Sequence, residues 1–386
     1  MWFFSDEQKM LQETVRQFAQ TELAPKIEHL DHIEGINETA FKKLGDLGLL
    51  GITVSEADGG AGLGAVEATI AMEEMGAVDA STTLTYLAHS ILCVNQIGFN
   101  GTPEQKKKYL PKLISGEHIG GMGMSEPGAG SDALGMTTKA EKQPDGSYII
   151  KGGKTWITNG PNGQIFYVYA KTGPSKRELS TFIIESTMPG FSAGKKFSKM
   201  GMRASPTGEI IFENIKVGKE QRVGEENGSV KMMMRNLDLE RVTIAGISLG
   251  IAKGAIAAAT QYAKERKQFN KPIGAFQMIQ ERLAEAQANY FAARCLTYDC
   301  AKAWDEKLLV GKEASAMGAM AKLQAAQMAT KVALDAIQIL GGYGYTREFP
   351  VERMMRDAKL IEIGAGTNEI MRLIIARNML GEVADA

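Results

Sequence analysis

The stretch NLDLER, residues 236–241, sets two acids and an arginine into a segment with helical periodicity. Asp238 and Arg241, three residues apart, share one helical face, where they can pair or meet a ligand. Glu240 stands on another face, and its neighbours at three, four and seven residues are Met233, Asn236, Leu237, Thr243, Ile244 and Ile247. An unpaired carboxylate facing so apolar a stripe would be desolvated, which raises its pKa and suits it to act as a general base near neutral pH. A slight rotation of the helix would instead leave Glu240 at a rim, paired with a cation from elsewhere. A second stretch, IEIGAGTNEI at 361–370, has the composition of a site loop without a base at its centre: Glu362 and Glu369 flank Gly364, Ala365 and Gly366, none of which can take a proton.

Three further stretches have the chemistry of ligand loops and an ordinary structural reading beside it. GMSEPGAGSD, 123–132, combines glycines that let backbone N–H groups approach a ligand with the hydroxyls of Ser125 and Ser131, yet a Gly-rich loop can equally be a turn. It does not satisfy GxGxxG and no βαβ unit surrounds it, which disfavours a nicotinamide-type dinucleotide site. WITN, 156–159, puts Trp156 and Thr158 on one face of a strand, where a flat partner could stack on the ring while the hydroxyl bonds its edge; a half-buried strand packed on a helix gives the same pattern. QILGGYGYTREFPVERMMRD, 338–357, ends one helix at paired glycines that suit a C-cap and also admit a phosphate. Arg347, Arg353 and Arg356 there can be a solvated or salt-bridged face. His29 and His32 are too few ligands for a metal and read as a polar patch, so no metal site is expected. The KKK run at 106–108 reads as an exposed helix face.

The elements that must hold these residues change in kind along the chain. From Ser5 to about Gly116 apolar residues recur at helical spacing, with a break at Pro25 and a cap at Asn37. From about Ile119 to Glu220 the runs SYIIKG, KTWITN, QIFYVYAKT, LSTFIIES and EIIFENIKV read as strands of antiparallel character, because no helix-length segment separates them. Helical patterns return after Gly228, at about 229–267, 274–306, 312–340, 350–361 and 367–380. The 386 residues suffice for roughly two or three domains at ~100–200 residues each. With 44 Lys+Arg against 45 Asp+Glu, no general field attracts nucleic acid or an anionic membrane, so an anionic ligand must meet locally placed donors. Cys93, Cys295 and Cys300 form no CxxC and fit a reducing compartment. The start MWFFSDEQKM lacks the basic and apolar regions of a signal peptide, and no window is read as reaching the ~20 apolar residues of a membrane span. The expectation is a cytoplasmic protein with no membrane insertion.

In this order the segments resemble the acyl-CoA dehydrogenase family over essentially the whole chain. GMSEPGAGSDALG matches its first signature and QILGGYGYTREFPVERMMRD its second, with WITN and ERKQFNKPIGAFQ in the expected order between them. The resemblance implies a mainly α fold with a central β-domain: an N-terminal helical domain at 1–118, a middle β-barrel or sandwich at 119–224 and a C-terminal four-helix bundle at 225–386. It implies a homotetramer with FAD between the middle domain and the bundle, near the dimer interface. By resemblance, Met122, Gly123, Met124, Ser125, Glu126, Pro127, Gly128, Ala129, Gly130 and Ser131 would line the flavin, and Ser131 would also touch the substrate's CoA arm. Trp156, Ile157 and Thr158 would hold the isoalloxazine. Arg266, Gln277, Gln338, Ile339, Leu340, Gly341 and Gly342 would take the adenine-diphosphate half of a neighbouring subunit's FAD, and Thr367, Asn368 and Glu369 would close the site.

Most of the family carries its catalytic glutamate in a YEGT-like loop, at the position of Ala365. The isovaleryl-CoA dehydrogenase branch reads GAGT there and takes its base from a DLER helix, so the resemblance makes Glu240 the base and neither Glu362 nor Glu369. The backbone N–H of Ala365 and a ribityl hydroxyl of FAD would then stabilise the thioester oxygen, while Asp238, Leu239, Arg241, Gly364 and Gly366 would contact the substrate. The implied reaction removes the α-proton and the β-hydride of an acyl-CoA, with electrons passed to electron-transfer flavoprotein. Gly364 and Ala365 leave room for a short branched or cyclic acyl group. Three residues before Gly364, where the isovaleryl branch usually has an aromatic, this chain has Ile361, which leaves the acyl group open. The rival readings are an acyl-CoA oxidase using oxygen and a flavin- or CoA-binding member without catalysis.

Overall fold

The computed structural model describes residues 4–308 and 310–381; Met1, Trp2 and Phe3 of the start discussed above lie outside them. The N-terminal part is helical: α1 Asp6–Phe18, α2 Ile27–Ile33, α3 Glu38–Asp46, α4 Ala65–Gly76, α5 Ala80–His89, α6 Asn95–Asn100 and α7 Pro103–Ile114. The first run ends in a π-turn, Ala19–Leu23, just ahead of Pro25, and the Asn37 side chain caps α3 by accepting from the Ala40 N–H at 3.1 Å. His29 and His32 are exposed on α2, and no group of metal-binding side chains forms among the described residues.

The middle part is one 8-stranded sheet, made of β1 Gly120–Gly123, β2 Lys139–Lys142, β3 Tyr148–Thr158, β4 Ile165–Lys171, β5 Leu179–Glu185, β6 Phe191–Lys196, β7 Thr207–Val217 and β8 Arg222–Val223. The path runs β6-β7-β3-β2-β4-β5-β8, with β1 attached to β4. Most pairings are antiparallel, as the short connections require, but β1 and β2 run parallel to β4. That departure follows from their separation: neither is followed directly by β4, so the intervening strands act as the crossover a parallel pair needs. SYIIKG and KTWITN, read as separate runs, are one bent strand, β3, whose register against β7 shifts between Lys154 and Ile157.

The C-terminal part contains α8 Ser229–Glu265, a two-stranded ribbon of β9 Lys267–Gln268 and β10 Lys271–Pro272, then α9 Gln277–Asp305, α10 Lys312–Leu340, α11 Val351–Ile361 and α12 Asn368–Leu380. Here α10 packs on α8, α9, α11 and α12, while α8 also packs along α4. Three glycines set that last contact. A Cβ at Gly246, Gly250 or Gly254 would stand 2.9 Å from the Thr69 carbonyl, 2.5 Å from that of Glu73 and 2.3 Å from that of Ala77. Spaced four apart, they form one face on which the two backbones meet. One expectation fails here: by length and composition α8 is apolar enough to cross a membrane. Its apolar length is explained by position, since most of that stretch is buried between α4 and the bundle.

Candidate active site

Glu240 sits on α8 with 6% of its surface exposed, and its flanking residues Met233, Asn236, Leu237, Thr243, Ile244 and Ile247 are all buried. No hydrogen bond or ion pair engages its carboxylate among the described residues. Burial pushes that carboxyl up to about 7, against partial opposition from Arg241 and Lys322. The helix therefore keeps Glu240 off the rim and poised near neutrality. Asp238 and Arg241 pair with each other, Arg241 Nη1 donating to Asp238 Oδ1 at 2.8 Å, and the Ser315 hydroxyl donates to the other oxygen at 2.7 Å. Burial raises the Asp238 pKa, with Ser315 and Arg241 opposing. The Arg241 Nε is buried without a partner among the described residues, which leaves this guanidinium a donor to offer. Leu239 turns into the main core.

The loop between α11 and α12 is held in an unusual backbone shape. Ala365 has φ 54° and Gly366 φ 88°, and a left-handed conformation costs a non-glycine residue roughly 1–2 kcal/mol. No hydrogen bond engages the Ala365 N–H among the described residues. A Cβ at Gly364 would meet only the Leu360 carbonyl at 3.5 Å and its side chain at 3.9 Å, so the space beside 364 is not filled by the protein. Ile361 is fully buried. Thr367 caps α12 by accepting from the Ile370 N–H at 3.3 Å. Glu369 is exposed and paired with Arg372, and Glu362 is paired with Lys359 at 2.6 Å. Neither has the desolvated setting of Glu240.

A lysine that the sequence reading passed over anchors this loop. Lys322, on α10 and 0% exposed, donates to the Gly366 carbonyl at 2.8 Å and to Asn368 Oδ1 at 3.2 Å. The Asn368 side chain is thereby turned inward. A lysine whose helix neighbours are Gly318, Ala319, Ala325 and Ala326 was the available signal, since a cation on a face of small residues is covered by whatever packs there.

The Gly-rich stretch begins on β1 and turns back at Glu126, whose N–H and C=O exchange hydrogen bonds with Ala129. The Glu126 side chain points away from any ligand face. It accepts from the Thr137 N–H and hydroxyl, the Thr138 N–H and Lys154 Nζ at 2.6 to 2.9 Å, so Glu126 serves to hold the turn. Burial pushes its carboxyl up, but Lys154 and the threonine donors outweigh this and bring it down to about 2. Lys154 also donates to the Met124 carbonyl at 3.2 Å. Pro127, Gly128, Gly130 and Ser131 are exposed, and nothing lies within 4 Å of where a Cβ would stand on either glycine. Ser125 is half-buried and accepts through its carbonyl from the Thr155 N–H, while Gly123 and Ala129 are buried. Met122 packs on both helices and sheet and accepts from Asn236 Nδ2 through sulfur at 3.3 Å.

Within the register shift of β3 between Lys154 and Ile157, Trp156 adopts φ 60° and is 62% exposed, one ring face stacked on Phe197 at 4.3 Å. Ile157 is buried in the sheet core and Thr158 is half-buried. A separate cavity of about 500 Å³ is lined by Arg266, Tyr262, Ile339, Leu340, Gly341 and Gly342, among others. Gly341 has φ 63°, and both glycines present open backbone there. Gln277 and Gln338 are exposed and lie outside this lining. Arg353 and Arg356, undecided from sequence, are structural: Arg353 donates to the Val78 carbonyl and Arg356 pairs with Asp31 and Glu352.

Family models described as acyl-CoA dehydrogenase N-terminal, middle and C-terminal domains match residues 5–117, 121–215 and 228–380. A mitochondrial isovaleryl-CoA dehydrogenase of Pongo abelii is 46% identical over 379 residues, 97% of this chain and 88% of that protein. A mitochondrial 2-methylacyl-CoA dehydrogenase of Solanum tuberosum is 44% identical, covering 97% of this chain and 90% of its own. Among solved structures, butyryl-CoA dehydrogenase from Megasphaera elsdenii superposes with TM-score 0.94 at 38% identity, over 98% of this chain and 99% of that one.

Proposed function

The chain belongs to the acyl-CoA dehydrogenase family, and from that premise we propose that Glu240 is the base that removes the α-hydrogen of a short branched or cyclic acyl-CoA. The enzyme is an FAD-dependent oxidoreductase that forms a 2,3-enoyl-CoA. The observation that carries the assignment is a buried carboxylate on α8, without a hydrogen-bond or ion-pair partner among the described residues and held near neutrality. Domain boundaries at 118 and 224 fit the change from helices to strands and back.

The residues present suit FAD. An exposed, left-handed Trp156, open backbone at Gly128 and Gly130, and a cation beside Gly341 and Gly342 supply an aromatic face, N–H donors and a diphosphate partner. Met122 to Ser131 with Trp156, Ile157 and Thr158 would hold the isoalloxazine. Arg266, Gly341 and Gly342 would take the adenine-diphosphate half from a neighbouring copy in a homotetramer, with Gln277 and Gln338 at the outer edge. FAD, when bound, supplies the acceptor for the hydride lost from Cβ. The chain's own part is proton removal and charge stabilisation. As the Cα–H bond breaks, its proton passes to Glu240, a Cα=Cβ bond forms, and negative charge developing on the thioester oxygen meets the unused N–H of Ala365. Asp238 and Arg241, locked to one another, hold the CoA side of the site and move no proton.

Electron-transfer flavoprotein is the proposed electron acceptor, and rapid peroxide formation in air without it would assign an oxidase instead. The three free cysteines fit a reducing compartment, for which the cytoplasm is the proposed location. The shape reading rests on the unfilled space at Gly364 and the short side chain at 365. Anaerobic flavin bleaching by straight, branched and cyclic acyl-CoAs is expected to be fastest with a branched or cyclic short chain. Since one methylene shifts preference by only ~1–3 kcal/mol, differences of about 10- to 200-fold are expected within a class. Preference for a straight medium-length chain would refute it.

A further inference from the structure

We propose that Lys322 is a positioning residue for proton abstraction, joining the loop that carries the Ala365 N–H to the carboxylate of Glu240. The inference rests on the assignment of Glu240 as base. Two observations carry it. First, the Lys322 ammonium bonds the Gly366 carbonyl and Asn368 Oδ1, one on each side of Thr367, and so clamps the turn in which Ala365 and Gly366 hold left-handed φ. An ammonium has three donors, and no side chain or carbonyl among the described residues takes the third. Second, α10 lies directly on α8 at this height: a Cβ at Gly318 would stand 3.2 Å from the Asp238 carbonyl and 3.5 Å from the Arg241 side chain, and Lys322 follows one turn later.

Lys322 is therefore buried among the ionisable groups of three other helices. Glu240 acts on it most strongly, followed by Glu362 at the end of α11; Arg241 on α8 opposes both, and Glu369 on α12 adds less. Glu240 in turn faces Arg241, Lys322 and the buried hydroxyl of Tyr169 on β4. Burial lowers the ammonium to about 8, with Glu240 and Glu362 opposing, and as a cation it favours the ionised form of Glu240. One cation thus fixes the oxyanion donor and favours the ionised base. Neither task is expected of a lysine that merely fills space.

The test uses the FAD-loaded enzyme with Lys322→Met, Lys322→Gln, Asn368→Ala and Glu240→Gln. In Lys322→Met, kcat is expected to fall at least 10-fold, with a smaller change in KM. The infrared C=O band of protonated Glu240, assigned by its loss in Glu240→Gln, is expected to titrate about one pH unit higher, since a nearby opposite charge favours the ionised form. Asn368→Ala, which removes one clamp bond and leaves the charge, is expected to lower kcat without moving that midpoint. Lys322→Gln carries the same comparison if the methionine variant does not fold. A Glu240 midpoint and kcat like wild type in a folded Lys322 variant would overturn the proposal, as would loss of kcat with an unmoved midpoint. An active Glu240→Gln would instead defeat the assignment of the base itself.

Discussion

Glu240→Gln is expected to retain FAD and acyl-CoA binding while losing at least about 100-fold in turnover, the usual consequence of removing a general base. Glutamine fills the same volume in the same apolar setting, so the loss is chemical and not one of packing. Anaerobic bleaching of the flavin by substrate measures it directly, and a near-wild-type rate would end the assignment. A second, independent signature lies in stability. The folded-state pKa of Glu240 is raised to about 7 from an ordinary 4.5. Between those values the folded chain holds a proton that the unfolded chain has released, so this group's contribution falls as pH rises through the window and is flat above it. Glutamine carries no such penalty. The Tm of the variant relative to wild type is expected to be lowest below about pH 4.5, to rise between about 4.5 and 7, and to level off above.

Lys154→Met is expected to destabilise the enzyme by ~3–5 kcal/mol at neutral pH, because it leaves the Glu126 carboxylate buried without its cation. The Thr137 and Thr138 donors remain and place the effect towards the lower end of that range. Glu126 has a depressed pKa, so its stabilising contribution is present above about 4.5 in the wild type and is lost as pH falls through about 2. In the variant that loss moves to higher pH, visible as an acid-unfolding midpoint shifted upwards. FAD retention is expected to fall too, since Lys154 also bonds the Met124 carbonyl at the start of the Gly-rich turn. Lys154→Met combined with Glu126→Gln is expected to recover most of the Tm. A single variant with unchanged Tm would show that the pair contributes nothing.

Some of this was legible before any coordinates. The apolar stripe around Glu240 depends only on helical geometry, but spacing alone left open a rotation that puts the carboxylate at the rim; the family resemblance singled it out, and its burial on α8 decides for the inward placement. The α, β, α order followed from the same periodicities. Legibility failed where long-range contact decides the outcome. The sequence shows Lys322 and Gly366, but not that α10 crosses the loop after α11. Trp156 and Thr158 fall on one face by alternation, yet the register shift that contains Trp156 and its left-handed φ had no local marker. The parallel pairing of β1 and β2 with β4 joins strands far apart in sequence, and the apolar length of α8 is ambiguous until its partners are known.

The glycine face at 246, 250 and 254 has a practical consequence for re-engineering the enzyme. Because it presses α8 onto the carbonyls of α4, the insertion depth of the base is registered by the first third of the chain, and sliding the helix by one residue would displace the carboxylate by ~1.5 Å. Swapping the N-terminal helices between homologues to import a new acyl preference therefore risks detuning the proton transfer along with the pocket. Variation confined to Ile361 and Gly364, neither of which meets those glycine positions, offers a route to altered chain selection that leaves the base where it is.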